Sequence, residues 1–316
     1  MAEQERLYAL WHITRACNLN CKYCCSPNKN MHSPVVNIQR LSKALREHGR
    51  EWTIHMSGGE PFLYPDFIGV CRELTKEFRI KVNSNLIHST EVRAFSNLIN
   101  PDKVELILAS LHIEEMERLG MLEDFIGNVL LLKERGFKVI VKFVLHPTLI
   151  ERFQGDCRYF DSRGIKLSAK PFQGVYQGKR YPKAYPDNVK NIFSNNAHGS
   201  AFYPFCFKGI NCSAGRLSVH IESDGLVTRC LDDLTILGNI HDGFKLKNTA
   251  SPCRSYRCSC FGYDLIAERP FARQATNFNL LHQILSDLKY VNREHIFSRL
   301  FSFAHKKIQP GSKVGA

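Results

Sequence analysis

Residues 7–24 read Leu7-Tyr-Ala-Leu-Trp-His-Ile-Thr14-Arg-Ala-Cys17-Asn-Leu-Asn-Cys21-Lys-Tyr-Cys24. The first half is a short apolar run with aromatic and β-branched residues, the composition of a buried strand. The second half follows directly and sets three cysteines at C-x3-C-x2-C spacing. Loops at the C-terminal ends of strands are where parallel α/β barrels place their chemistry. Three thiolates from one short loop can bind three irons of a cubane and leave the fourth open. A zinc site would normally want four protein ligands, at two paired spacings.

On the C-terminal side of this loop, short β-branched runs alternate with amphipathic stretches to about residue 172, the pattern of repeated βα units around a parallel sheet. Strands are predicted at Tyr8–Thr14, Trp52–Met56, Ile80–Asn83, Lys103–Ala109, Lys138–Leu145 and Ile165–Lys170. Helices are predicted at Asn37–His48, Phe67–Phe78, Glu91–Ile99, Met121–Arg135 and Leu149–Ser162, with Gly49, Gly136 and Gly164 placed to end three of them. The expected fold is α/β: a partial (βα)6 barrel over residues 1–173, with a small cysteine-rich C-terminal domain. Residues 174–203, rich in Gly, Tyr, Pro, Lys and Asn, read as an irregular linker, or as a lid carrying Tyr176 to Tyr185 over the barrel mouth. Residues 204–263 hold the cysteine-rich domain, with a hairpin of Leu217–Ile221 and Leu226–Arg229 around Asp224-Gly225. Residues 264–316 read as a helical segment, Asn277–Ala304, and a basic tail.

Composition narrows the class. With 44% hydrophobic and 23% charged residues the chain is an ordinary globular protein, and its apolar runs are too short to span a bilayer. The polar start, Met-Ala-Glu-Gln-Glu-Arg, does not read as a secretory signal, so a cytoplasmic location is expected. In a reducing compartment clustered cysteines are metal ligands or catalytic thiols rather than disulfide staples. Cys71 and Cys157 stand apart and read as small buried hydrophobes, and Cys25 as a bystander. The net charge of +13 admits an anionic partner, yet no aromatic-basic recognition motif supports nucleic acid.

The cysteine spacing, with aromatic Tyr23 just before the third cysteine, resembles the signature of the radical S-adenosylmethionine superfamily. The resemblance covers residues 7 to about 172. It implies that Cys17, Cys21 and Cys24 hold a 4Fe-4S cluster whose open iron takes S-adenosylmethionine. Ser57-Gly58-Gly59-Glu60-Pro61 is similar to the family's Gly-Gly-Glu motif, which grips the methionine amino group through backbone and carboxylate. Asn83-Ser84-Asn85 ends the third strand and Ser110 the fourth; Asn85 and Ser110 would contact methionine carboxylate and ribose. Lys142, Lys170 and Gln173 are further candidates. The chemistry implied is one-electron cleavage of S-adenosylmethionine to a radical able to take hydrogen from an unactivated carbon, with an electron donor such as flavodoxin or ferredoxin.

A second constellation, Cys206, Cys212, Cys230, Cys253, Cys258 and Cys260, is too dense to be incidental. With Cys212-Ser-Ala-Gly215, the Asp224-Gly225 hairpin and Leu237-Gly-Asn-Ile240, it resembles the SPASM and shorter twitch domains, which carry auxiliary 4Fe-4S clusters. It lacks the additional C-x2-C pair and later cysteine of the full SPASM pattern. One auxiliary cluster is expected, with zinc as the alternative and Cys206 or Cys253 as a spare catalytic thiol.

Without a leader-binding domain in its plan, the chain is closest to short twitch-type relatives that dehydrogenate or epimerise amino sugars and polyols, so an oxidoreductase or epimerase acting on a small carbohydrate-type molecule is expected. A peptide or protein maturase and a non-catalytic iron-sulfur regulator or electron carrier are the alternatives. His12, His55, His112 and His146 lie at or near strand ends, either facing the cavity or hydrogen-bonded in the core.

Overall fold

The computed structural model describes residues 6–24, 33–49, 51–194 and 208–255. Six parallel strands, β1 (Leu7–Thr14), β2 (Trp52–Gly58), β3 (Arg79–Ser84), β4 (Val104–Leu111), β5 (Val139–Leu145) and β6 (Leu167–Pro171), lie side by side in chain order. Helices α1 (Ile38–Arg46), α2 (Phe67–Thr75), α3 (Ser89–Leu98), α4 (Ile113–Leu119), α5 (Leu122–Glu134) and α6 (Phe153–Asp161) form the crossovers. α4 is absent from the sequence expectation. It is a two-turn helix closed by Gly120 in the left-handed region, shorter than the periodicity needed to reveal it. Gly49, Gly136 and Gly164 take the left-handed φ values expected of helix ends.

In-register parallel pairing puts neighbouring side chains on one side of the sheet. Ala9, Ile54 and Ile80 share one face, as do Trp11, Met56 and Val82, and all six are at most 1% exposed. They belong to one core with Leu41 and Leu45 of α1, Leu74 of α2, Phe95 of α3, Phe125 and Val129 of α5 and Phe160 of α6. The alternate positions differ. His12 pairs with Ser57, Ser110 with Lys142, and Lys142 with Ser168, all half-buried and polar. A parallel sheet ordinarily buries both faces in apolar contact. Here one face mixes these polar residues with half-buried Leu10, Leu108 and Val144.

One expectation is corrected. The stretch after β6 is ordered: β7 (Gly174–Tyr176) and β8 (Lys179–Tyr181) form a hairpin, and α7 (Asp187–Ser194) follows. The buried Tyr185 anchors it, its hydroxyl donating to Leu145 O and accepting from Phe172 N at 2.9 Å. One tyrosine supplies order that the Gly- and Pro-rich composition conceals. The hairpin expected in the cysteine-rich segment is present and extends the same sheet. Its β10 (Ser218–Ile221) pairs in parallel with β1, and β11 (Leu226–Thr228), β12 (Ile236–Asn239) and β13 (Gly243–Phe244) continue into a ten-stranded sheet. The β1 edge is thereby covered. A small antiparallel pair, β9 (Asn211–Cys212) with β14 (Ser251–Pro252), flanks it. The expected Asn277–Ala304 helix lies outside the described residues.

Candidate active site

The cysteine loop leaves β1 and is held at several points. Gly59 N donates to Thr14 O at 2.8 Å and Glu60 N to Ala16 O at 2.8 Å, so the end of β2 carries the backbone that leads to Cys17. A Cβ at Gly59 would lie 2.0 Å from Ala16 O, and one at Gly58 2.2 Å from Thr14 O. The glycines are needed for approach of the cysteine loop's own backbone. Further along, Asn18 Oδ1 accepts from Asn85 Nδ2 at 2.8 Å, Asn20 N donates to Glu115 Oε1 at 2.9 Å, and Tyr23 OH lies 3.1 Å from His112 Nδ1. A turn with Cys24 N donating to Cys21 O at 3.2 Å brings those two cysteines to one end of the loop. Cys17 and Cys21 are half-buried and Cys24 is exposed. Three thiols projected from one anchored loop match the donor set of an iron-sulfur cluster that keeps one iron open.

Glu60 is 1% exposed. Its carboxylate accepts from Ser84 Oγ at 2.7 Å, Asn85 N at 2.7 Å and Phe62 N at 3.1 Å, tying the end of β2 to the end of β3. Burial pushes its carboxyl up to about 7 against those three bonds. A carboxylate offers about four acceptor positions, so these three bonds leave one unfilled. Asn85, also buried, spends its side chain on Asn18 and Ile87 N. Ser110 lies on the polar face, its hydroxyl donating to Asn83 Oδ1 at 2.9 Å, while Asn83 Nδ2 donates to Ser57 Oγ at 3.2 Å. Gln173 is exposed just beyond β6.

Of the four histidines, His12 joins the polar face, where its Nδ1 lies 3.1 Å from His220 Nε2 of β10. His220 Nδ1 is 3.2 Å from Thr228 Oγ1, and Glu222, 3.9 Å from the same ring, is bridged to Arg15 of the cysteine loop at 3.3 Å. Burial holds His12, His55 and His220 below the usual imidazole range, so the cluster is neutral at pH 7. His112 and His146 serve the loop instead: Tyr23 stacks on His146 at 5.7 Å, and His146 meets Tyr176 of the hairpin at 4.8 Å. Sequence reasoning missed Arg15, His220, Glu222 and Glu115. All of them act through long-range contacts, for which no local spacing is diagnostic.

In the C-terminal segment, Cys212, Cys230 and Cys253 come within electrostatic reach of one another: burial raises the Cys253 thiol, and the charges of Cys212 and Cys230 add to it. Backbone amides point at two sulfurs, Ala214 N at Cys212 Sγ (3.4 Å) and Asp233 N at Cys230 Sγ (3.3 Å). The buried Arg229 gathers the segments, bonding Asp233 at 2.7 Å and the carbonyls of Cys212, Ala214, Ser251 and Pro252. Cys206, Cys258 and Cys260 lie outside the described residues.

The match to known proteins follows the same geography. Residues 11–154 match the model of the radical SAM superfamily. The pre-heme d1 synthase of Dinoroseobacter shibae is 25% identical over 145 residues, covering 43% of this chain and 36% of the relative. The GTP 3′,8-cyclase of Peptoclostridium acidaminophilum is 28% identical over 165 residues, covering 46% and 47%. The chain thus spans between about a third and a half of the length of these curated relatives. Among solved structures, native anSMEcpe with bound AdoMet and Cp18Cys peptide superposes with a TM-score of 0.56 at 18% identity, covering 76% of this chain and 78% of that one. SuiB of Streptococcus suis bound to S-adenosylmethionine gives 0.51 at 16% identity, covering 72% and 61%. At such identities the superpositions establish a shared fold, and the radical SAM superfamily model matches residues 11–154 of this chain.

Proposed function

We propose that this chain is a radical SAM enzyme that cleaves S-adenosylmethionine reductively and removes hydrogen from a C–H bond of a small carbohydrate or amino-sugar-type substrate, by dehydrogenation or epimerisation. The observation that carries the reading is the anchored three-cysteine loop at the end of β1, next to a polar face on a parallel sheet. Cys17, Cys21 and Cys24 would hold the cluster, and the ends of β2, β3 and β4 with Tyr23, Gly58, Gly59, Glu60, Asn85 and Ser110 would surround the S-adenosylmethionine. When bound, cluster and S-adenosylmethionine supply a 5′-deoxyadenosyl radical. The protein's own part is to fix the loop, to present Glu60's remaining acceptor position to an amine, and to offer the Ser57–Asn83–Ser110 chain to substrate hydroxyls. Alternating hydroxyl and amide groups suit a polyol, since each can both donate and accept. The relatives named cyclase and synthase support a small-molecule substrate. Cys212, Cys230 and Cys253, with a ligand from Cys206, Cys258 or Cys260, would hold one auxiliary cluster; a flavodoxin or ferredoxin in the cytoplasm would supply electrons. Among the described residues no helix is long and apolar enough to cross a membrane.

The test is iron and zinc content of anaerobically reconstituted protein, then 5′-deoxyadenosine formation with dithionite and S-adenosylmethionine. About eight irons per chain with product formed is the expected result. Cys17→Ala, Cys21→Ala and Cys24→Ala should each abolish the product, and full cleavage in any of them sinks the reading.

A further inference from the structure

Along the polar side of the sheet the cations meet a carboxylate at one place and a hydroxyl at another. Toward the N-terminal ends of the strands, Glu105 collects Arg6 at 2.9 Å, Lys81 at 3.2 Å and Arg79 at 3.5 Å, with Thr53 Oγ1 donating at 2.6 Å. On β5 and β6 the register sets Lys142 beside Ser168, and Lys170 follows two residues further on the same face. Lys142 Nζ donates to Ser168 Oγ at 3.0 Å, and among the described residues no carboxylate lies within ion-pair distance of Lys142 or Lys170. Burial, and then the charge of Lys170, lowers the pKa of Lys142. A half-buried ammonium whose protein partner is a hydroxyl, close to a second ammonium, is costly unless a ligand supplies negative charge. The cysteine loop at the end of β1 borders the same sheet, so a molecule held here would lie on the side where the Ser57–Asn83–Ser110 chain runs.

We propose that Lys142, Lys170 and Ser168 form an anion subsite, and that the substrate carries a phosphate monoester there. Two ammonium groups and a hydroxyl match the charge and acceptor count of a phosphate dianion better than those of a carboxylate. The inference rests on the reading that the polar face receives the substrate. It adds the class, a phosphorylated small molecule.

The probe is radiolabelled orthophosphate in equilibrium dialysis against the reconstituted full chain without reductant, with S-adenosylmethionine binding measured in parallel. Saturable phosphate binding is expected. Lys142→Met and Lys170→Met should each weaken it roughly tenfold or more, as for loss of one charge-assisted bond, and Ser168→Ala less. Lys76→Met, on the exposed pair with Glu73, is the charge control and should bind as the parent does. S-adenosylmethionine affinity and thermal midpoint should hold in all four variants. Unchanged phosphate affinity in Lys142→Met, or no saturable binding, overturns the proposal. So does a parallel loss of S-adenosylmethionine affinity, which would assign the lysines to the methionine carboxylate. Displacement of phosphate by an equal concentration of acetate overturns the phosphate assignment. Because the dialysis uses no reductant, failure of 5′-deoxyadenosine formation in the separate dithionite assay would sink the enzymatic reading without touching this measurement.

Discussion

A side chain at Gly59 would have to occupy space already filled by Ala16 O at 2.0 Å, Ala16 C at 2.6 Å and Arg15 O at 2.7 Å, all backbone atoms of the cysteine loop. None of them can yield by a rotamer change, so Gly59→Ala should displace the loop and cost about 1–3 kcal/mol, the range of overpacking. The expected outcome is a lower thermal midpoint together with reduced iron uptake on reconstitution. Gly127, inside α5, is the counter-case: a Cβ there meets nothing within 4 Å. Gly127→Ala should raise stability by about 0.5–1 kcal/mol, because alanine gives up less backbone freedom in a helix. Equal thermal shifts in the two variants would remove the steric account of Gly59.

The β7–β8 hairpin is seated next to the buried Tyr185. Its hydroxyl joins Leu145 O at the end of β5 to Phe172 N after β6, while its ring packs on Tyr181 and Phe193 at 4.8 and 5.5 Å. Tyr185→Phe keeps the ring packing and leaves a buried amide and carbonyl without that partner, at an expected cost of about 1–3 kcal/mol. Amide exchange over residues 172–181 should quicken in this variant while exchange in β2 and β3 stays as it was. Through Tyr176, His146 and Tyr23, the hairpin is in contact with the cysteine loop, so a loosened hairpin should also widen the cluster's electron paramagnetic resonance lines. Uniform quickening across the sheet would mean global destabilisation and sink the local account.

For the molecule as a whole, acid should be more damaging than the carboxylates alone predict. His55 and His220 are 7% and 1% exposed, and burial brings each from 6.5 to about 3, with Lys81 and His12 the next contributors for His55 and His12 for His220. A histidine with a depressed folded pKa costs nothing above pH 6.5, where both folded and unfolded chains carry it neutral. As pH falls from 6.5 toward 3 the unfolded chain takes up a proton that the folded chain refuses, and stability drops by about 1.4 kcal/mol per pH unit for each such group. Urea unfolding between pH 7.5 and pH 5 should show this slope, and His55→Gln with His220→Gln should flatten it. An unchanged slope in the double variant would show that other groups set the acid limit.

The six parallel strands, five of their helices and the cysteine loop were readable along the chain, because each depends on local quantities: β-branched runs, helical periodicity, and the spacing of Cys17, Cys21 and Cys24. The short α4 and the β7–β8 hairpin were not, since one is too brief to show a period and the other is seated by contacts to His146, Phe172 and Tyr185 that composition does not reveal. The partners of the site were hidden for a related reason. Arg15 reaches Glu222 across 207 residues, His12 reaches His220 across 208, and β10 adds to the sheet beside β1. Local pattern therefore specified which elements form and where the cysteines sit among them. Only tertiary packing decided which polar side chains share one face, because pairing across so many residues is set by strand register, and no spacing along the chain records it.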